Sequence, residues 1–201
     1  MKRLLRILLG GILIFGLLFL LVPKTPHLVG NSQWVANGAL LPAFRLPSTR
    51  GEFNTESLAG RWTLFVFGYT HCPDICPTDL AMLGQVVDQM KQSHVGILPQ
   101  VVFISGDPKR DNIPLLKDYV TSFHADFIGA NGDPEQMKPF RDAIGVYFQI
   151  NEPDKGHKNY TVEHTSNIFL IDPKGRLRGI FRVPQAASVV KKDILAMEAS
   201  E

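Results

Sequence analysis

Ile7 to Val22 is an unbroken run of 16 apolar residues, extended by Leu4 and Leu5 around Arg6. As a helix it spans about 24 Å, a little less than the ~30 Å hydrocarbon core of a bilayer, and Arg6 can snorkel to the interface to close the gap. Lys2, Arg3 and Arg6 precede the run and few charges follow it. That bias holds the N-terminus inside and sends the remainder of the chain outside. A cleaved signal peptide is the alternative, but its apolar region is shorter, ~7–15 residues. The sequence Val22-Pro23-Lys24-Thr25-Pro26 offers no small-x-small cleavage site, and no Cys is present there to carry a lipid. Both readings place the rest of the chain outside the cytoplasm. The short basic leader, without an Arg/Ser-rich transit segment, points to a bacterial cytoplasmic (inner) membrane, crossed once, with the domain facing the periplasm.

Residues 1–22 are thus expected to anchor the protein, and 23–40, mixed polar with Pro23, Pro26, Gly30 and Gly38, to tether it. Residues 41–201 are enough for one domain with one core. The formal net charge is +2, and three of the basic residues lie ahead of the apolar run. With no Lys/Arg cluster interleaved with aromatics, nucleic acid is excluded as a partner.

Within the domain the periodicities alternate. Phe44 to Leu46 reads as a strand ended by Pro47, and Asn54 to Gly60 as a turn. Trp62 to Gly68 is rich in aromatic and β-branched residues, as a buried central strand is. The loop Tyr69 to Pro77 leads into a helix near Pro77, on which Leu80, Leu83, Val87 and Met90 recur at helical spacing. Strands over Val101–Ser105 and 127–129 and helices over Asp111–Val120 and Pro134–Ile144 follow. Tyr147–Ile150 and Asn167–Ile171 read as strands, and Asp172-Pro173-Lys174-Gly175 as the turn of a hairpin to Leu177–Arg182. Val189–Met197 closes the chain as a helix. Parallel strands with crossover helices, then an antiparallel hairpin, describe an α/β thioredoxin-like three-layer sandwich with an N-terminal hairpin extension, preceded by one transmembrane helix.

Cys72 and Cys76 are the only cysteines. Outside the cytoplasm a structural disulfide is permitted. Closing so short a loop stabilises by roughly 2 kcal/mol, against ~4–5 for a loop of 100 residues, so a staple is a poor account of this pair. They lie in Gly68-Tyr69-Thr70-His71-Cys72-Pro73-Asp74-Ile75-Cys76-Pro77, between the end of a buried strand and a helix N-terminus. Loops at the carboxyl ends of such strands carry function. The positive end of the helix favours thiolates near neutral pH, which metal binding and disulfide exchange both require.

A thioredoxin-type dithiol would need its second Cys at position 75, which is Ile75. A peroxiredoxin would need Thr or Ser at Tyr69 or Pro73. A spacing of four puts both sulfurs on one side of a single turn with room for an ion. Structural zinc wants four ligands, whereas Cu(I) is satisfied by two thiolates and one imidazole. Six histidines compete for that third place: His27 in the tether, His94 and His124 near helix ends, His71 beside Cys72, His157 in a polar loop, and His164 just before a hairpin strand.

The decapeptide at 68–77, Ser105-Gly106-Asp107-Pro108-Lys109-Arg110-Asp111, and Glu163-His164-Thr165 ahead of an apolar strand and Asp172-Pro173-Lys174-Gly175 together resemble the Sco/SenC family. Its members are membrane-tethered, thioredoxin-fold copper proteins that serve the assembly of cytochrome c oxidase. The resemblance runs from about Leu41 to Arg182, plus the anchor. Position 106 departs from it, since the family more often has valine there. The resemblance implies copper held by Cys72, Cys76 and His164, as Cu(I) with Cu(II) as a second state, one ion per chain. It also implies a copper-site subunit of a terminal oxidase as acceptor and an upstream copper donor. The chain is then a metallochaperone for the binuclear copper centre. The rival is a thiol–disulfide reductase using Cys72 and Cys76 as a redox pair to keep the acceptor's cysteines reduced. A non-catalytic redox or copper sensor is the third possibility.

The charge bias yields a direct test. Protease added to cells with a permeabilised outer membrane should degrade the domain together with a periplasmic control. Protection of the domain while the control is digested reverses the orientation.

Overall fold

Three strands whose side chains alternate between two apolar layers organise the molecule. In the computed structural model, which describes residues 25–93, 97–151 and 160–200, β4 (Thr63–Gly68) is buried along its whole length. It pairs in parallel with β5 (Gln100–Ser105), from Thr63↔Gln100 to Gly68↔Ser105. On its other side it runs antiparallel to β9 (Ile168–Ile171). Because successive side chains in a strand point to opposite faces, each strand divides in two. Leu64, Val66, Val101, Phe103, Ile168 and Leu170 enter one core. Phe65, Phe67, Val102, Ile104, Phe169 and Ile171 enter the other.

The remaining strands complete the sheet outward. β6 (Ile128–Asn131) adds in parallel to β5, and the hairpin of β2 (Arg45–Ser48) and β3 (Gly51–Asn54) follows it. On the opposite side β10 (Leu177–Phe181) pairs with β9, and β1 (Ser32–Trp34) with β10. The full order is β1-β10-β9-β4-β5-β6-β2-β3. The first core is covered by α1 (Ile75–Gln92), through Leu80, Leu83, Val87 and Met90, by α2 (Ile113–Thr121) and by α4 (Ala187–Glu198). α3 (Lys138–Ile144) covers the second core through Phe140 and Ile144. Phe44, Phe53, Phe65, Phe67, Phe140 and Phe169 interlock in that second core, with neighbouring ring centroids 4.7–6.4 Å apart. Helices on both faces of a mixed sheet give the expected three layers.

Several boundaries differ from expectation for physical reasons. β2 continues through Pro47, because it meets β6 at a single pair, Ser48↔Ala130, so a missing N–H there interrupts no ladder. Within 23–40, expected as a tether, residues 32–34 form β1, and the N–H groups of Val29 and Gly30 donate to the buried Asp193 carboxylate of α4 at 2.7 and 3.1 Å. α1 starts two residues before Pro77, and α3 is shorter than 134–144. β8 (Thr161–His164) was not anticipated; it pairs antiparallel with β7 (Phe148–Asn151) as a separate two-stranded sheet. The turn at Asp172–Gly175 forms as expected, with Gly175 at φ 78°. The apolar run of the proposed anchor, His94 and His157 lie outside the described residues. Among the described residues no helix is long and apolar enough to cross a membrane.

Phe65 is fully buried in the second core, against the rings of Phe44, Phe53, Phe67 and Phe140. Phe65→Ala should cost about 3–5 kcal/mol and, at about 2 kcal/mol/M for urea, lower the unfolding midpoint by roughly 2 M. Leu115→Ala, on the exposed side of α2, should leave it within measurement error.

Candidate metal centre

At the carboxyl end of β4 the chain leaves the sheet, turns, and enters α1. Cys72 lies in the turn, its N–H donating to the Tyr69 carbonyl at 3.1 Å. Cys76 lies in the first turn of α1 and is buried. The equal-face argument for a spacing of four therefore needs correcting, since only Cys76 is helical. Cys72 arrives from a loop bent back by its own hydrogen bond, and its thiol is partly exposed. The third group comes from far along the chain. His164 ends β8, and its Nε2 sits 3.4 Å from Cys76 Sγ across a sequence separation of 88.

The two sulfurs and the imidazole nitrogen all lie within 4.8 Å of one another, and among the described residues no other Cys, His, Asp or Glu joins them. Bonds of about 2.0–2.3 Å to a common ion hold donors up to ~4.5 Å apart, so the three fit one ion with little adjustment. The donors are soft and few, which suits Cu(I) and falls short of a closed tetrahedral zinc site. His164 Nδ1 lies 3.1 Å from the Thr165 carbonyl. As a donor there, Nδ1–H fixes the tautomer that leaves the Nε2 lone pair facing the sulfur. Tyr69 meets the imidazole edge-on at 6.0 Å, and Phe148 lies beside it at 6.1 Å. The site opens into a surface depression of about 560 Å³ lined by Tyr69, Cys72, Pro73, Ile75, Tyr147 and His164 among others.

Burial sets the protonation. It pushes the Cys76 thiol well above its ordinary range, with the hydrogen bond that this thiol donates to Cys72 adding to the effect. The expectation of ready thiolates near neutral pH thus fails for Cys76: desolvation outweighs the helix N-terminus. Burial also lowers His164, partly offset by the Thr165 hydrogen bond, and so favours the neutral imidazole a metal needs. Asp79, one turn further along α1, is buried as well and raised to about 7 by desolvation. Sequence gave no sign of that beyond its position near the helix start.

The other described histidines are elsewhere. His71 is half exposed, with Nδ1 3.0 Å from Thr70 Oγ1 and 3.8 Å from Asp111 Oδ1. His124 meets Lys91, Asp88 and the Asp126 backbone, and His27 is exposed. The aromatic neighbours Tyr69 and Phe148 were missed because only the unforeseen β8 brings the His164 ring to them.

A thioredoxin-like α/β domain presenting two thiols and an imidazole at the carboxyl end of its central strand defines a metal-binding class of that fold. The chain belongs to the SCO1/SenC family, whose family model matches residues 35–198. An SCO2-like protein of Rickettsia prowazekii is 37% identical over 172 residues, 85% of this chain and 82% of the relative. The mitochondrial SCO2 homolog of Homo sapiens is 33% identical over 153 residues, 75% of this chain and 57% of that protein. Among solved structures, copper-bound Arabidopsis thaliana ScoI superposes with a TM-score of 0.73 at 30% identity, covering 81% of this chain and 100% of that one. Copper-bound yeast Sco1 gives 0.74 at 30% identity, covering 81% and 90%.

The unequal burial of the two thiols predicts unequal reactivity. Each pKa unit of upward shift lowers the thiolate fraction about tenfold. In the reduced, metal-free protein at pH 7, iodoacetamide should label Cys72 at least about tenfold faster than Cys76, by peptide mass analysis. Raising the pH should speed labelling of Cys76. Faster labelling of Cys76 at pH 7 would mean that the helix terminus outweighs burial.

Proposed function

We propose that this protein binds one copper ion through Cys72, Cys76 and His164 and delivers it to the binuclear copper centre of a terminal cytochrome oxidase during assembly. The convergence of these three donors within 4.8 Å of one another carries the reading, and membership of the SCO1/SenC family supports it. Three protein donors leave a coordination position open toward the surface depression. An incoming acceptor thiolate enters there, and the ion passes from a few-coordinate site to a richer one. The N-terminal run anchors the chain in the inner membrane with the domain in the periplasm, where an oxidase copper subunit and a copper donor are in reach.

The second reading, a thiol–disulfide reductase for the acceptor's cysteines, rests on the same two thiols being adjacent and unbonded. In that reaction the pair gives up two electrons and two protons and closes a disulfide as the acceptor's disulfide opens. Copper loading of the reduced protein supports the first role, and metal-free turnover of a mixed-disulfide substrate supports the second.

One copper per chain is expected after reduction, and Cys72→Ala or Cys76→Ala should abolish tight binding. His164→Ala should weaken Cu(I) binding only in part, because the thiolates supply most of the attraction, yet change the Cu(II) spectrum strongly. His71→Ala should leave that spectrum nearly unchanged. The reverse pattern for the two histidine variants would make His71 the ligand.

A further inference from the structure

The loop from Ser105 to Asp111 contributes no donor to the metal site, yet it carries two fully buried carboxylates, Asp107 and Asp111. Asp111 holds the cysteine loop. Its carboxylate accepts from the Thr70 N–H at 2.9 Å, and from the hydroxyls of Thr70 and Ser105 at 2.5 Å each. Asp107 reaches the other way. It pairs with Arg110 Nε and accepts from the Tyr160 hydroxyl at 2.6 Å. Arg110 Nη1 donates to the Tyr160 carbonyl at 3.1 Å, and its guanidinium lies 3.6 Å from the centroid of the Tyr160 ring. Tyr160 is the residue immediately before β8, and His164 is the last residue of β8.

A second grip comes from Gly106. A Cβ built there would overlap the ring of Phe148, lying 2.8 Å from Cζ and nearer still to Cδ1 and Cε1. Phe148 is the residue paired with His164 across the β7–β8 ladder. The ring can rest on the loop only because position 106 has no side chain. These contacts matter because among the described residues β7 and β8 pair with each other and with no strand of the main sheet. Ladder hydrogen bonds therefore do not fix the height or tilt of His164 over the cysteines; side-chain contacts must.

We propose that Gly106, Asp107 and Arg110 are positioning residues for His164, gripping its hairpin through Phe148 at one end and Tyr160 at the other. The same short loop then places both halves of the site: Asp111 sets the thiol loop, and Asp107 with Arg110 sets the imidazole. The inference rests on His164 being a metal ligand, and a metal-free measurement keeps the two claims separable.

The test uses the full-length protein in detergent, with Arg110→Ala, Tyr160→Phe, Gly106→Val and the double variant Gly106→Val/Phe148→Ala. Three properties are read: the Cu(II) spectrum including nitrogen coupling by electron paramagnetic resonance, Cu(I) affinity by competition with a chromogenic chelator, and hydrogen exchange of β8 amides without metal. Arg110→Ala and Gly106→Val should shift the Cu(II) spectrum toward that of His164→Ala and weaken Cu(II) binding roughly 10–100-fold, the usual effect of losing an orienting group. Cu(I) affinity, dominated by the thiolates, should change less than about tenfold. Exchange in β8 should quicken without metal, and Phe148→Ala should relieve part of the Gly106→Val effect. Arg110→Lys keeps the charge but cannot stack flat and fork to two acceptors; it and Tyr160→Phe provide milder variants if Arg110→Ala does not fold. Wild-type Cu(II) spectra and unchanged β8 exchange in the folded variants overturn the proposal. Quickened exchange in variants of a protein whose Cu(II) spectrum ignores His164→Ala would keep the grip and sink the ligand assignment instead.

Discussion

Where β4 ends, the chain has no room for a side chain. A Cβ at Gly68 would lie 2.6 Å from Cys76 Sγ, so the thiol packs directly against the strand backbone. The Gly68 carbonyl in turn accepts the Gly106 N–H at 2.8 Å. One residue thus seats a sulfur and ties the cysteine loop to the loop after β5. The parallel register Gly68↔Ser105 makes this possible, because it brings both strands to their ends at the same height. Any larger residue at 68 must displace Cys76, and with it the first turn of α1.

The same closeness sets up an electrostatic conflict. Removing Cys76 and His164 from water opposes charge on both, so the metal-free site favours a neutral thiol and a neutral imidazole. A bound cation reverses the balance at the sulfur, because it compensates the thiolate that burial otherwise penalises. At the imidazole no reversal is needed, since the neutral ring is already the ligand form. An ion held by the Cys76 sulfur would therefore be coupled to release of that thiol's proton, and lower pH would weaken it.

Much of this was legible in the sequence, and the particular residues show why. The alternation in Trp62–Gly68 and Val101–Ser105 reports local backbone geometry together with burial on both faces, and both strands are where they were expected. The thiol pair stands out because spacing and the strand–loop–helix setting are local properties too. His164 could not be chosen from six histidines by local pattern, because its place beside the thiols depends on β8, a short strand of alternating burial whose partner β7 forms no ladder with the central sheet. β1 was hidden for a related reason: Ser32–Trp34 is three residues long and is defined by its partner β10. The buried charges were likewise invisible. An aspartate in a loop reads as solvated until Thr70, Ser105, Arg110 and Tyr160 are seen around Asp107 and Asp111.

The site therefore has two parts with different dependence on folding. Cys72 and Cys76 are four residues apart, so the unfolded chain retains them as a local pair of thiols. His164 is 88 residues from Cys76 and joins them only when β4, α1 and the β7–β8 hairpin are assembled. A ligand stabilises a fold only by the excess of its affinity for the native state over the unfolded one. A soft ion that the thiols alone hold tightly contributes little of that excess, however strong its binding. An ion that depends on the imidazole contributes more. Cu(I), drawn mainly by thiolates, and Cu(II), which favours nitrogen, thus couple differently to the same fold. With the proposed ligand set, the more strongly nitrogen-dependent ion would be the one whose retention is governed by how firmly the hairpin is held against the sheet.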